Sequence, residues 1–461
     1  LSVELTLSPS WVNVAGDGKS DWVLHEALSA KNPNAYYQNK ERKRKWKGLE
    51  DVDNQWRLYD RHRRRFPRGL VETAICALQE AELDVKIVGS SRYTGPVREK
   101  PKYLDTFSPR DYQEEAVREF IKKEFGIIAI PTRGGKTAIG LMVASMFAEK
   151  HPCLYLVTKI EAQQEVIKSW YEWFDLEMAT DEILRSPGLS VITYNAAINR
   201  DLSQFKLVIG DEIHRAGAEK FYDAVMRCED AWFRIGLSGS AGGRSDNKDI
   251  YFNGATGPII YTVERQALQK EGHCATGKVY TVDVFGDTDP EKEGWLALEK
   301  EGIYENINRD EALLCCLLSI RKPEEQVLYV VQKKVHGRRV AGWLTSLLDE
   351  HVPFLSSDTP KKQRLDYYEK LQKGEILTAV VSPIFDDSMT LPKVKILVNA
   401  AGGKSSIATT QRLGRALSGD KDIVLIDAND LHHKTLKRHS KARFKIYEKE
   451  GYACEQWVAA A

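Results

Sequence analysis

Residues 129–140 read AIPTRGGKTAIG: an apolar run breaks at a glycine pair and Lys136-Thr137, and a second apolar stretch with helical spacing follows. A glycine-rich turn that leaves a strand and opens a helix aims several backbone N–H groups and the positive end of the helix dipole at one point, where a phosphate chain fits. Read this way, Pro131, Thr132, Arg133, Gly134 and Gly135 form a cradle, Lys136 reaches the β- and γ-phosphates, and the Thr137 hydroxyl faces Mg2+. The full pattern G-x-x-x-x-G-K-[ST] is not met, because Ile130 stands where its first glycine would be. Taken alone, the stretch fits either a phosphate loop or a plain strand–turn–helix.

A second stretch, FKLVIGDEIHRAG at 205–217, bears on the choice. An apolar strand ends there in Asp211-Glu212, which puts two carboxylates at the carboxyl end of a sheet, where ligands sit in open α/β folds. Asp211 can hold Mg2+ and Glu212 can orient an attacking water. Alone, the pair reads equally as a helix cap with solvated acids. Behind a phosphate loop, in this order, it reads as the acidic half of a nucleotide site.

The surroundings carry the matching fold pattern. Short runs that are apolar throughout (GIIAI, CLYLV, LSVITY, FKLVIG, FRIGLSG) alternate with segments of helical spacing, which implies a parallel sheet covered on both faces. The pattern resumes with QVLYVV, LTAVVS, VKILVNA and DIVLID. The expected fold class is α/β: two tandem lobes of parallel sheet flanked by helices, preceded by a small basic α+β domain. The boundaries expected are 1–95 for the N-terminal domain, 96–104 for a linker, 105–262 for the first lobe, 263–310 for a connector and 311–461 for the second lobe with a basic C-terminal helix.

At 461 residues, the length suits about three domains. With 42% hydrophobic and 29% charged residues, the composition is that of a soluble globular protein. No apolar run approaches membrane length and no signal-peptide pattern opens the chain, so the expected location is the cytoplasm, that of the host cell if the protein is phage-encoded. The seven cysteines form no CxxC pair, which argues against a disulfide framework and a structural zinc site. The net charge of +1 is unevenly spread: Lys40–Arg68 holds twelve basic residues against five acidic ones, a local excess of +7 that points to a polyanion.

With these pieces in view, a family emerges. RDYQEEAV (with Gln113), PTRGGKT, DEIH, GLSGS and QRLGRAL occur in the order found in superfamily-two helicases and translocases. The whole arrangement, including the N-terminal stretch from Tyr36 to Ala74, resembles the phage UvsW-type branch-migration helicases. The resemblance implies two RecA-like lobes that use ATP and Mg2+. Gln113 would read the adenine edge with Tyr112 nearby. Ser238, Gly239 and Ser240 would link hydrolysis to lobe movement. Gln411 and Arg415 would complete the site from the second lobe, Arg415 as the arginine finger, with Arg412 beside them. Two departures stand out: Ser418 replaces a second arginine, and in SPIFDDSMTLPKV Ser388 and Thr390 replace a glycine and an aspartate, which leaves Asp386 and Asp387 as weak site residues.

The resemblance also implies a nucleic-acid track over Thr158-Lys159, Thr193-Tyr194 and Lys333-Lys334, which otherwise read as surface residues closing strands. In the N-terminal domain, Arg42, Lys43, Arg44, Lys45, Arg63, Arg64 and Arg65 form a basic patch among Tyr36, Tyr37, Trp46, Trp56 and Tyr59. Such rings either stack on unpaired bases or form a small core under snorkelling arginines. HHKTLKRHSKARFKIYEKEGY, at 432–452, fits no zinc spacing and reads as a basic helix closing the second lobe and available to DNA. The expected function is an ATP-dependent DNA helicase or translocase acting on single-stranded and branched DNA (forks, four-way junctions, and RNA–DNA hybrids as a further candidate), moving 3′ to 5′ as the family does. Three other readings stay open: a duplex-translocating subunit of a restriction or remodelling complex, a nucleic-acid-binding protein with a decayed motor, and an RNA helicase, since a backbone-gripping track discloses little about the 2′-OH.

Overall fold

The computed structural model describes residues 2–33, 35, 39, 53–89, 92–131, 134–174, 187–216, 218–239, 247–272, 277–286, 294–382, 393–403, 423–449 and 451–458. The chain divides into two compact units, one running to Val263 apart from 132–134, the other from Glu264 onward.

The first unit opens with β1 (Ser2–Leu7) and β2 (Trp11–Ala15), in which Val3, Leu5, Val12 and Val14 face inward and their neighbours face out. This period of two gives a sheet with one buried face. A hairpin of β3 (Ser29–Lys31) and β4 (Gln55–Arg57) stands apart, and β5 (Arg65–Pro67) and β6 (Asp84–Val88) complete a sheet of order β5-β2-β1-β6. Helix Gly18–Ala27, capped by Asp17 accepting from the Ser20 N–H at 2.9 Å, and helix Val71–Glu80 supply Leu24, Ala74 and Leu78 to the core.

The next strands are β7 (Phe125–Ala129), β8 (Pro152–Val157), β9 (Gly188–Thr193), β10 (Leu207–Gly210), β11 (Phe233–Ser238) and β12 (Ile259–Thr262). They form one parallel sheet of order β12-β7-β11-β10-β8-β9. β8, β10 and β11 are buried almost throughout, as strands covered on both faces must be. Helix Lys136–Phe147 is buried nearly all round, which is why its sequence has little polar face.

The N-terminal domain is fastened to this lobe. Arg234 on β11 is fully buried and donates to the carbonyls of Ala231 (3.2 Å), Cys228 (2.8 Å) and Val225 (3.4 Å) and to the Ser10 hydroxyl of the N-terminal domain. Burial lowers its pKa to about 10. Arg68 lies over the rings of Phe125 and Trp232 at 5.2 and 4.9 Å. Gly69 meets the backbone around Asn253 so closely that a Cβ would stand 2.1 Å from its carbonyl oxygen. Part of the stretch expected as a linker is laid down on the lobe as well: the Arg98 N–H donates to Met146 O at 3.1 Å and the Leu104 N–H to Trp173 O at 2.8 Å.

The second unit holds β13 (Gly277–Val284), β14 (Gln326–Val330), β15 (Phe354–Leu355), β16 (Thr378–Val381), β17 (Val394–Asn399), β18 (Ile423–Asp430) and β19 (Ala453–Trp457). All are parallel, in the order β15-β16-β14-β17-β18-β13-β19. The stretch read as a connector thus supplies β13, paired between β18 and β19, and the chain end supplies an edge strand that no sequence pattern announces.

A buried ionic network crosses this unit. Asp427 on β18 accepts a two-pronged contact from Arg443, both bonds at 2.9 Å, together with the Tyr447 hydroxyl and the Asn399 amide at 2.9 Å. Asp430 accepts from Arg309 at 2.7 Å. Arg309 and Arg443 also donate to the carbonyls of Ala400 and Gly403, each at 2.8 Å, pinning the chain just past β17.

Candidate nucleotide site

The loop expected to cradle phosphate does connect β7 to helix Lys136–Phe147. Gly135 caps that helix at φ +72°, a conformation that favours glycine, and a Cβ there would stand 2.2 Å from the Gln113 amide nitrogen, so a larger residue would also displace that side chain. Ile130, the departure from the loop pattern, has a structural role: its side chain is buried, its N–H donates to Ser238 O at 3.0 Å and its carbonyl accepts from Lys136 Nζ at 3.4 Å.

Lys136 is 7% exposed, and its ammonium lies 3.3 Å from Glu212 Oε1. The other oxygen of Glu212 lies 3.2 Å from His214 Nε2, and His214 Nδ1 lies 3.2 Å from the Ser238 hydroxyl. A polar chain therefore runs from the loop lysine through the acidic pair to the end of β11. Glu212 adopts φ +46°, a left-handed conformation uncommon outside glycine, which turns its carboxylate out of the strand direction.

Asp211 is held from several sides. Its N–H donates to Leu156 O at 2.9 Å, its Oδ1 accepts from the Glu212 N–H at 2.8 Å and its Oδ2 from the Tyr155 hydroxyl at 3.5 Å, while its carbonyl accepts from the Tyr194 hydroxyl at 2.9 Å. Burial, reinforced by the neighbouring Glu212 charge and opposed by Lys136, pushes its pKa up to about 7. Burial likewise pushes the Tyr155 and Tyr194 phenols well up. Because Asp211 is normally ionised at 3.8, its penalty is absent below that pH, grows toward about 7 and is complete above. Asp211→Asn is therefore expected to raise Tm by more at about pH 8 than at about pH 5, read by thermal melts at both. An equal gain at both would place the cause elsewhere.

Gln113 is buried; its Oε1 accepts from the Arg110 N–H at 2.9 Å and its amide donates to Gly135 O at 3.5 Å, so it touches the loop itself. Tyr112 beside it is buried under Arg110. Thr137, half-buried, and Asp211 both reach the Tyr155 hydroxyl. Two hard oxygen donors thus converge on one point behind a loop of backbone N–H groups, a donor set suited to Mg2+ beside a phosphate chain.

Pro131 and Gly134 flank the loop, and Ser238 is buried with Gly239 half-buried beyond it. Thr132, Arg133, Ser240, Gln411, Arg412, Arg415 and Ser418 lie outside the described residues, as do Asp386, Asp387, Ser388 and Thr390 and the basic residues Arg42, Lys43, Arg44 and Lys45 with Tyr36, Tyr37 and Trp46.

Of the expected track, Thr158 and Lys159 are half-buried just past the carboxyl end of β8, and Thr193 caps the short helix Tyr194–Ala197 by accepting from the Ala196 N–H at 3.2 Å. Tyr194 requires a correction: it is 2% exposed, packs edge-on against Phe221 and spends its hydroxyl on Asp211, so it supports the acidic pair and offers nothing to a passing strand. Lys333, 3.7 Å from Glu299 and over the Tyr304 ring, and Lys334, paired with Asp358, lie just past β14.

In the N-terminal basic patch Arg64 pairs with Asp21 at 3.1 Å, Arg65 lies over the Trp11 ring at 4.0 Å, and Arg63, exposed, lies 3.9 Å from Asp60. Trp56, half-buried, packs against Tyr251 with Lys248 over its ring at 4.4 Å, and Tyr59 is buried in the core.

Sequence reasoning missed His214 and Tyr155. The signal for His214 was its place two residues after Glu212; nothing in CLYLV marked Tyr155. Among the described residues no cluster of histidine, cysteine and carboxylate is arranged to hold a metal ion, and no helix is long and apolar enough to cross a membrane.

Comparison with known proteins agrees with this geometry. Residues 106–241 match the family described as Type III restriction enzyme, res subunit, and residues 309–419 match the helicase conserved C-terminal domain; together these span more than half of the chain. A relative from Sulfurisphaera tokodaii, DNA 3′-5′ translocase XPB2, is 25% identical over 76% of this chain and 86% of its own length. The ATP-dependent DNA helicase uvsW of Enterobacteria phage T4 is 23% identical over 72% of this chain and 71% of its own. The fold is shared with a fragment of an HsdR subunit of a type I restriction enzyme from Vibrio vulnificus, at 17% identity and TM-score 0.58 over 77% of this chain and 69% of that one. With its phosphate loop, its acidic pair and two parallel lobes in the expected order, the chain belongs to the superfamily-two helicases and translocases, enzymes that act on DNA at the expense of ATP.

Proposed function

We propose that this enzyme remodels branched DNA, translocating 3′ to 5′ and acting on forks, four-way junctions and RNA–DNA hybrids. The observation that carries the reading is the fastening of the N-terminal domain to the first lobe through Arg234, Ser10 and Arg68, because any branch held by that domain would be carried as one body with the lobe that bears the phosphate loop. Polarity is supported by the relative whose name states a 3′-5′ direction.

In this mechanism Gly134, Gly135 and the start of helix Lys136–Phe147 hold the phosphates by backbone N–H groups, and Lys136 leaves Glu212 to neutralise charge on the β- and γ-phosphates. Thr137 and Asp211 would hold Mg2+, which supplies further neutralisation of the transferring phosphoryl group. Glu212, once released, orients the attacking water. His214 transmits the state of Glu212 to Ser238.

Strand displacement decides the matter: with forked, four-way and linear substrates carrying either 3′ or 5′ tails, turnover-dependent separation of branched, 3′-tailed DNA in preference to linear DNA is the expected result. Equal rates on linear DNA would sink the branched specificity. The match to the restriction family supports a second reading, a motor that tracks along duplex without parting it; duplex-stimulated ATP turnover with no displacement on any substrate would favour that one.

A further inference from the structure

We infer that the outward face of helix Lys434–Lys449 is a second nucleic-acid surface, one that holds the phosphates of duplex DNA. The helix buries Leu436, His439, Ser440, Arg443 and Tyr447 against its own lobe, and Lys434, Lys437, Arg438, Lys441 and Lys445 are all exposed. At 100° per residue these five cations fall within an arc of about 100°, so they make one stripe.

Helix stability does not explain the stripe. No carboxylate occurs between Lys434 and Tyr447, and none of the five cations forms an ion pair with a described residue. Neighbours three and four residues apart repel one another, and Lys434, Lys437 and Arg438 sit at the helix start, where positive charge opposes the dipole. Other helices of this chain are built differently: Lys168 pairs with Glu172 at 3.6 Å and Lys370 with Asp366 at 2.9 Å. A row of unbalanced cations is electrostatically unfavourable until a polyanion lies along it.

The chemistry of the face selects which polyanion. From Lys434 to Lys445 the stripe runs about 16 Å, beside which a duplex would present about five phosphates on each strand. No ring stands on the exposed face, since Phe444 is half-buried and Tyr447 buried, so unpaired bases have nothing to stack on. The stripe is therefore a backbone reader for paired DNA.

The inference rests on the chain's being a DNA motor, and the test separates the two. In the full-length protein, all five residues are changed to glutamine, which keeps helix propensity. Affinity for a blunt duplex of about 30 base pairs and for oligo(dT) is then measured across salt concentration, with turnover stimulated by oligo(dT) alongside. The log–log salt slope on duplex is expected to become shallower by about 4 to 5, at roughly 0.9 per phosphate contact, while slope and turnover on oligo(dT) stay unchanged. An all-arginine version of the stripe is expected to keep the parent's slope, so a shallower slope in it too would make the effect one of folding and overturn the assignment. An unchanged duplex slope overturns it outright, equal losses on duplex and oligo(dT) would give the face to single strands, and loss only of binding to vesicles of anionic lipid would give it to a membrane surface. Absence of oligo(dT)-stimulated turnover in the parent protein would count against the motor reading instead.

Discussion

Lys136→Ala is expected to lower kcat for ATP hydrolysis on the order of 10³-fold while DNA affinity stays within about twofold. The lysine is 7% exposed at the first turn of a buried helix, with its charge answered by Glu212. In that position it stabilises negative charge that develops on the phosphates during transfer, and few other cations can reach a point so enclosed. Alanine also frees Glu212 from Lys136, leaving a half-buried carboxylate beside His214. Steady-state turnover with saturating oligo(dT), set beside direct binding of the same DNA, checks both halves. Hydrolysis within tenfold of the parent would remove Lys136 from the chemistry and take the phosphate-loop reading with it.

Arg443→Ala is expected to destabilise the second lobe by about 3–5 kcal/mol, because it strands Asp427 in a dry interior after removing both prongs of its contact. For a unit of this size that corresponds to a fall in Tm on the order of 10 °C. Arg443 is wholly buried; burial by itself would lower its pKa, and Asp427 with Asp430 raises it above the ordinary arginine value. The arginine also holds the Gly403 carbonyl at the end of the segment that follows β17. Thermal melts of the alanine variant and of Arg443→Lys, which keeps the charge and forfeits the fork, measure it. Alanine and lysine variants that both melt like the parent would show the network to be energetically idle.

Much of the molecule is legible from local chemistry. All-apolar runs between helical stretches dictate covered parallel sheets, since a strand with two apolar faces has no stable place at a surface. The candidate phosphate loop is legible because glycine, lysine and threonine stand contiguous, and Asp211 and Glu212 because they end an apolar strand; each is ambiguous alone, and only their order along the chain favours a nucleotide site. What the sequence by itself determined, then, is the α/β class and the order of the two lobes, with a candidate nucleotide site marked on the first.

Only the tertiary structure decided which polar residues serve the site and which serve the core. Tyr194 looks like a nucleic-acid contact along the chain and is consumed by Asp211; Tyr155, anonymous in its strand, becomes the meeting point of Thr137 and Asp211. The same holds for Arg234 and Arg443, whose burial no charge count reveals, and for β13, which finds its place between β18 and β19. The physical reason is common to all of them: a side chain's partners are set by which distant elements pack against it, and desolvation there decides whether a charge is offered to a ligand or spent within the fold.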